Sequence, residues 1–141
     1  MLSNNNFVIY PKSSEEKILP DFSLKELRCS CIYIHCKATI LYKPLLDLLQ
    51  KVRDEIASPL IATSCFRCSE KNKDERGAAL SGHLLGAAAD IQTALPIDPI
   101  ILASICQKHG ALGIGTYKKH LHIDLLYGLE GKERRWESSR D

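Results

Sequence analysis

The strongest periodic signal in the chain lies between residues 41 and 57. Leu45, Leu49, Val52 and Ile56 recur at helical spacing, Leu48 widens the stripe, and Lys51, Arg53, Asp54 and Glu55 fall largely on the opposite side. This predicts a long amphipathic helix with Pro44 in its first turn and a stop at Ser58-Pro59. Upstream, residues 1–22 are polar and aperiodic, with Pro11 and Pro20, and read as an irregular lead-in. Ser23-Leu24-Lys25-Glu26 is a capping box that starts a short helix at Leu24, and residues 29–36 read as a loop. Downstream, Leu60-Ile61-Ala62-Thr63 is a short buried strand, residues 67–80 a polar surface loop, and Ala87 to Gln92 a strand carrying Asp90. Asp98-Pro99 opens a second helix that runs to about His109, with Gly110 as its stop. Leu112 to Tyr117 and Leu121 to Leu126 then flank a Lys118-Lys119 turn as a hairpin.

These elements predict an α+β fold, a small antiparallel sheet with one long packing helix and shorter ones. The chain divides into a lead-in over 1–21, one domain over 22–136 and a tail over 137–141. At 141 residues it is long enough to bury a core without staples. A net charge of +2 is too small to argue for nucleic acid, and the basic residues around Arg134 and Arg135 are diluted by Glu133 and Glu137. No segment reaches the roughly 20 apolar residues of a membrane span, and the N-terminus lacks the features of a secretory signal. A cytoplasmic monomer is therefore expected, with release by another route open to a lytic enzyme. In that setting the six cysteines are expected as thiols or metal ligands rather than disulfides.

Two segments carry chemistry. Ser81-Gly82-His83-Leu84-Leu85-Gly86-Ala87-Ala88-Ala89-Asp90 keeps one imidazole and one carboxylate, seven positions apart, among residues too small to obstruct them. In His120-Leu121-His122-Ile123-Asp124-Leu125 polar and apolar residues alternate, so a strand would project His120, His122 and Asp124 from one face. His83, Asp90 and one of these histidines make the three-ligand set of a catalytic zinc, with a position left for water.

The same segments resemble the M15 family of zinc peptidases, the D-alanyl-D-alanine carboxypeptidases and related peptidoglycan peptidases, in their short single-domain branch. Ser81 to Asp90 fits the signature Ser-x-His-x-x-Gly-x-Ala-x-Asp at every fixed position. Phe22 to Leu27 with Cys29, Thr63 to Arg67, Asn72 with Gly77-Ala78, and Gly113 to Tyr117 leading to His122-Ile123-Asp124 follow in the family's order. The resemblance implies that His83, Asp90 and His122 bind zinc and that Arg67 holds a carboxylate or carbonyl of the substrate, a role its planar fork suits. Ser81 is a second substrate-side candidate, although with Gly86 it also reads as a residue that shapes the loop. The implied substrate is a peptidoglycan stem peptide or its precursor, and the zinc pocket would lie on the sheet face beside the 67–80 loop. In one place the chain departs from the family. Many members carry an acidic general base three residues before the last histidine ligand, where this chain has Lys119. Asp124 and His120 are the candidate replacements.

Two other readings follow from the residues. Lys119 also suits a zinc-binding pseudoenzyme or cell-wall peptide-binding module without turnover. Cys29, Cys31, Cys36, Cys65 and Cys68 supply enough thiols for a second metal site or an interaction module organised by one, although their intervals match no standard finger. Cys106, on the apolar side of the second helix, reads as core.

Overall fold

A computed structural model describes residues 6–126 and 133–141. The long helix forms where the periodicity puts it: α2, Lys43–Ile56, buries Leu45, Leu46, Leu48, Leu49 and Val52. Pro44 sits in its first turn, and Ala57 ends it in the left-handed region at φ 51°. The capping box at Ser23 and Glu26 opens the one-turn helix α1, Leu24–Leu27. Asp98 caps α4, Pro99–Lys108, by accepting from the Ile100 N–H.

Among the described residues, 6–22 are not irregular as their composition predicts; residues 1–5 of the lead-in lie outside the described residues. Phe7–Pro11 forms β1 and Lys17–Leu19 forms β2. β1 pairs antiparallel with β4, Ala38–Tyr42, and β2 with β3, Phe22–Ser23. The 67–80 segment likewise departs from a plain loop, because Ser69–Asp74 closes into the short helix α3. The amide of buried Asn72 donates to the Ala78 carbonyl at 2.9 Å, which folds the rest of this segment back onto α3.

The main sheet has five strands in the order β5, β6, β8, β7, β9: Leu60–Ser64, Ala88–Thr93, Leu121–Asp124, Gly113–Thr116 and Arg134–Glu137. The first four are antiparallel neighbours, whereas β9 runs parallel to β7. Ala89, Ile91, Ile114, Leu121 and Ile123 point to one face. They are at most 3% exposed and share a core with α2 and with Leu102, Ala103 and Cys106 of α4. The other face is polar and open. Among the described residues, no helix is long and apolar enough to cross a membrane.

Candidate metal centre

The open face carries a row of residues with one from each strand. Ser64, Asp90, His122, Gly115 and Trp136 are paired in succession across β5, β6, β8, β7 and β9, and directly opposed residues share a face. Gly115 makes room in the row, since a Cβ there would come within 2.5 Å of the Trp136 indole nitrogen. One step along, Gly113 opposes Asp124, where a Cβ would meet both carboxylate oxygens at 2.6 Å. Small residues thus clear the space that the functional side chains occupy.

His83 reaches the row from above, on a single 3₁₀ turn, Gly82–Leu85. The Ser81 hydroxyl caps this turn by accepting from the His83 N–H at 3.2 Å. Gly86 ends it at φ +63°, and the Tyr42 N–H of β4 donates to the Gly86 carbonyl at 3.1 Å. The ring of His83 is oriented by its other nitrogen. Nδ1 lies 2.6 Å from the Cys65 carbonyl, which can only accept, so Nδ1 carries the proton and Nε2 presents a lone pair. That lone pair lies 3.4 Å from Asp90 Oδ1, and His122 Nδ1 reaches the same oxygen at 3.1 Å. His122 Nε2 in turn meets Asp124 Oδ2 at 2.8 Å, while Asp124 Oδ1 accepts from the Leu126 N–H at 3.2 Å. The second oxygen of Asp90 accepts from Arg67 Nη2 at 3.0 Å, and Arg67 Nε donates to the Ser64 hydroxyl at 2.9 Å.

This donor set fits a metal ion. One ligand atom each from His83, Asp90 and His122 lies within 4.8 Å of the other two. Tetrahedral zinc, with bonds of about 2.0–2.1 Å to nitrogen and oxygen, sets donor–donor separations of about 3.4 Å, close to the 3.1 and 3.4 Å around Asp90 Oδ1. A carbonyl behind one histidine and a carboxylate behind the other are the partners that fix ligand tautomers. Two of the three donors are held in the form that binds metal, while His122 must release a proton as the ion binds. Burial pushes the His83 imidazole down, toward the neutral form that binds metal. Burial pushes the Asp90 carboxyl up, but the hydrogen bond from His122 outweighs it and holds Asp90 well below the usual carboxylate range. Burial also works against a proton on His122, yet Asp124 and Asp90 raise this group to about 9.

A family model described as Peptidase M15 matches residues 20–124. The chain belongs to the M15 peptidase family. No curated protein matches it. M15 peptidases are zinc-dependent metallopeptidases, and among the described residues His83, Asp90 and His122 form a group that could hold an ion.

In this M15 peptidase the other predicted site residues divide by position. His120 Nε2 comes within 3.6 Å of Asp90 Oδ1, with the ring stacked on Tyr117 at a centroid distance of 4.5 Å. Lys119 points away, 69% exposed and paired with Asp141 at 3.3 Å. Arg67, Ser81, His83, Asp90, His120, His122 and Asp124 all line one cleft of about 650 Å³. Sequence reasoning missed the aromatic wall of that cleft. Trp136 lies 5.3 Å from the His122 ring, centroid to centroid, and its Nε1–H donates to the Tyr117 hydroxyl at 3.2 Å. It also missed the Cys65 carbonyl, since no side-chain pattern marks a backbone acceptor.

Proposed function

We propose that this metallopeptidase hydrolyses a peptide bond in the stem peptide of bacterial peptidoglycan or its precursor, of the D-Ala-D-Ala type or a related bond involving a D-residue. The observation that carries the reading is the convergence of His83 and His122 on one oxygen of Asp90 at the floor of an open cleft, with Arg67 in the wall. When bound there, zinc supplies Lewis acidity, polarising a carbonyl and lowering the pKa of water. The remaining steps belong to the chain. Arg67 and Ser81 hold the substrate, with Arg67 pairing a carboxylate or carbonyl next to the scissile bond. Arg76, Arg134 and Arg140 also line the cleft, which suits a peptide bearing free carboxylates.

The two candidates for the work that an acidic base performs in other members, Asp124 and His120, take different parts. Asp124 is engaged with the His122 ring and the Leu126 N–H, so it acts as a positioning residue that holds His122 in its ligating orientation. His120 takes the proton from the attacking water and returns it to the leaving amine. One observation favours a binding module without turnover instead, namely Lys119 exposed at the family's base position. Mass spectrometry of muropeptides digested by the wild type and by His83→Ala, with zinc analysis of both, tests the proposal. Cleavage by the wild type alone is expected. Equal product from both proteins, or zinc binding with no cleavage of any stem peptide, refutes it.

A further inference from the structure

Cys29, Cys31, Cys36 and Cys68 bring their sulfurs within 4.8 Å of one another. Cys65 and Cys106 stand apart from this group: Cys65 is fully buried behind His83, and Cys106 lies in the core with α4. Cys68 Sγ is 3.7 Å from Cys29 Sγ and 3.7 Å from Cys31 Sγ. A disulfide requires about 2.05 Å. Four thiolates around zinc at about 2.3 Å form a tetrahedron with edges of about 3.8 Å, which the two separations from Cys68 match.

The surroundings suit sulfur that carries negative charge. The Lys12 ammonium donates to Cys31 Sγ at 3.1 Å and to the Cys31 carbonyl at 2.9 Å. The Cys68 N–H points at Cys29 Sγ and the Lys71 N–H at Cys68 Sγ, each at 3.4 Å. Outside the sulfur group the loop is tied to α3 by polar side chains, Tyr33 donating to Asp74 Oδ2 at 2.6 Å and His35 meeting Glu70 at 2.9 Å. Between Leu27 and Ala38 there is neither helix nor strand. Ile32 and Ile34, inside the cysteine loop, are 95% and 89% exposed, so the loop buries its cysteines rather than its isoleucines.

We propose that these four cysteines form a structural zinc site, separate from the His83–Asp90–His122 group. The four thiols release their protons to solvent, and the four thiolates fill every position around the ion, so no place is left for water or substrate. Three ligands come from one loop as Cys-x-Cys-x₄-Cys, and the fourth from the segment just after β5. The bridge has a consequence for the cleft. Cys68 follows Arg67 directly, and the Phe66 N–H donates to the Leu27 carbonyl at 3.1 Å. The zinc would therefore anchor the strand end that carries Arg67 to the segment following α1.

Metal content by mass spectrometry, measured on protein purified under reducing conditions, tests this site. The wild type is expected to hold two zinc ions per chain, one for each donor group. His83→Ala, Cys31→Ser and Cys36→Ser are each expected to hold one. The zinc remaining in His83→Ala should leave on treatment with a mercurial thiol reagent. Cobalt-substituted wild type should show intense thiolate-to-cobalt charge-transfer absorption in the near ultraviolet and the visible bands of a tetrahedral ion. A single zinc that His83→Ala removes, iron in place of zinc, or a cobalt spectrum without thiolate bands would each overturn the proposal. The cobalt spectrum is read on the wild type, so the test stands if a serine variant fails to fold. Failure of peptide cleavage bears on the other site and leaves this stoichiometry unchanged.

Discussion

Gly86→Ala probes how the signature segment is built. Gly86 ends the turn that carries His83 at φ +63°, a conformation that costs an L-residue about 1–2 kcal/mol. A Cβ at this position would overlap the Ile40 carbonyl oxygen and lie 2.7 Å from the Ile40 carbonyl carbon and from Leu41 Cα. Ordinary carbon–carbon contacts are about 3.5–4.0 Å, so the turn and β4 must move apart by about 1 Å. That displacement breaks the hydrogen bond from the Tyr42 N–H to the Gly86 carbonyl, worth about 1 kcal/mol. The sum is about 2–3 kcal/mol, which for a domain of this size lowers the melting temperature by roughly 7–10 °C. Because the bond from His83 Nδ1 to the Cys65 carbonyl is only 2.6 Å long, the same shift misaligns His83. Zinc affinity should then fall about 10–100-fold. Thermal melts followed by circular dichroism, with zinc competition against a chromophoric chelator, measure both effects. A variant that melts with the wild type and binds zinc as tightly would refute the assignment of Gly86 to the support of His83.

Other substitutions separate the roles around the cleft. His120→Ala should keep its zinc while kcat falls about 10²–10⁴-fold, whereas Asp124→Asn should weaken zinc binding about 10–100-fold; zinc titration beside steady-state kinetics distinguishes the two, and the opposite pattern would reverse their roles. Gly115→Ala places a Cβ within 2.5 Å of the Trp136 ring and should cost about 1–3 kcal/mol. Since Trp136 is the chain's single tryptophan, its fluorescence emission should shift in this variant, and an unchanged spectrum would contradict the packing. In chelator, His122 is raised to about 9, so its contribution to stability is full below about 6.5 and lost as pH rises through 9. The urea midpoint of wild type should therefore exceed that of His122→Gln at pH 6.5, and the gap should close toward pH 9. A constant gap would contradict the ion pairs drawn around His122.

Much of this centre was legible because it lies on local patterns. The alternation from His120 to Leu125 forecasts a strand with one polar face, and the spacing of His83 and Asp90 survives folding because a single turn and a short strand span it. What stayed hidden depends on distant pairing. Trp136 enters the row only because β9 pairs with β7 in parallel, a register that no local period encodes. β1 looked irregular because its partner, β4, reads as the approach to a helix, so neither strand signals the other. The cysteine group joins Cys68 to a loop more than thirty residues earlier in the chain, which is why its intervals matched no finger. Asp124 and His120 were indistinguishable as candidate bases until their partners were known, since both project toward the same side.

The central claim, that zinc held by His83, Asp90 and His122 drives peptide hydrolysis, is tested most directly by restoring metal to chelator-treated protein while following stem-peptide cleavage by mass spectrometry. Cleavage should be absent without metal and return with added zinc in the wild type but not in His83→Ala. Cleavage that persists after zinc is stripped, or that zinc restores equally in both proteins, would contradict it.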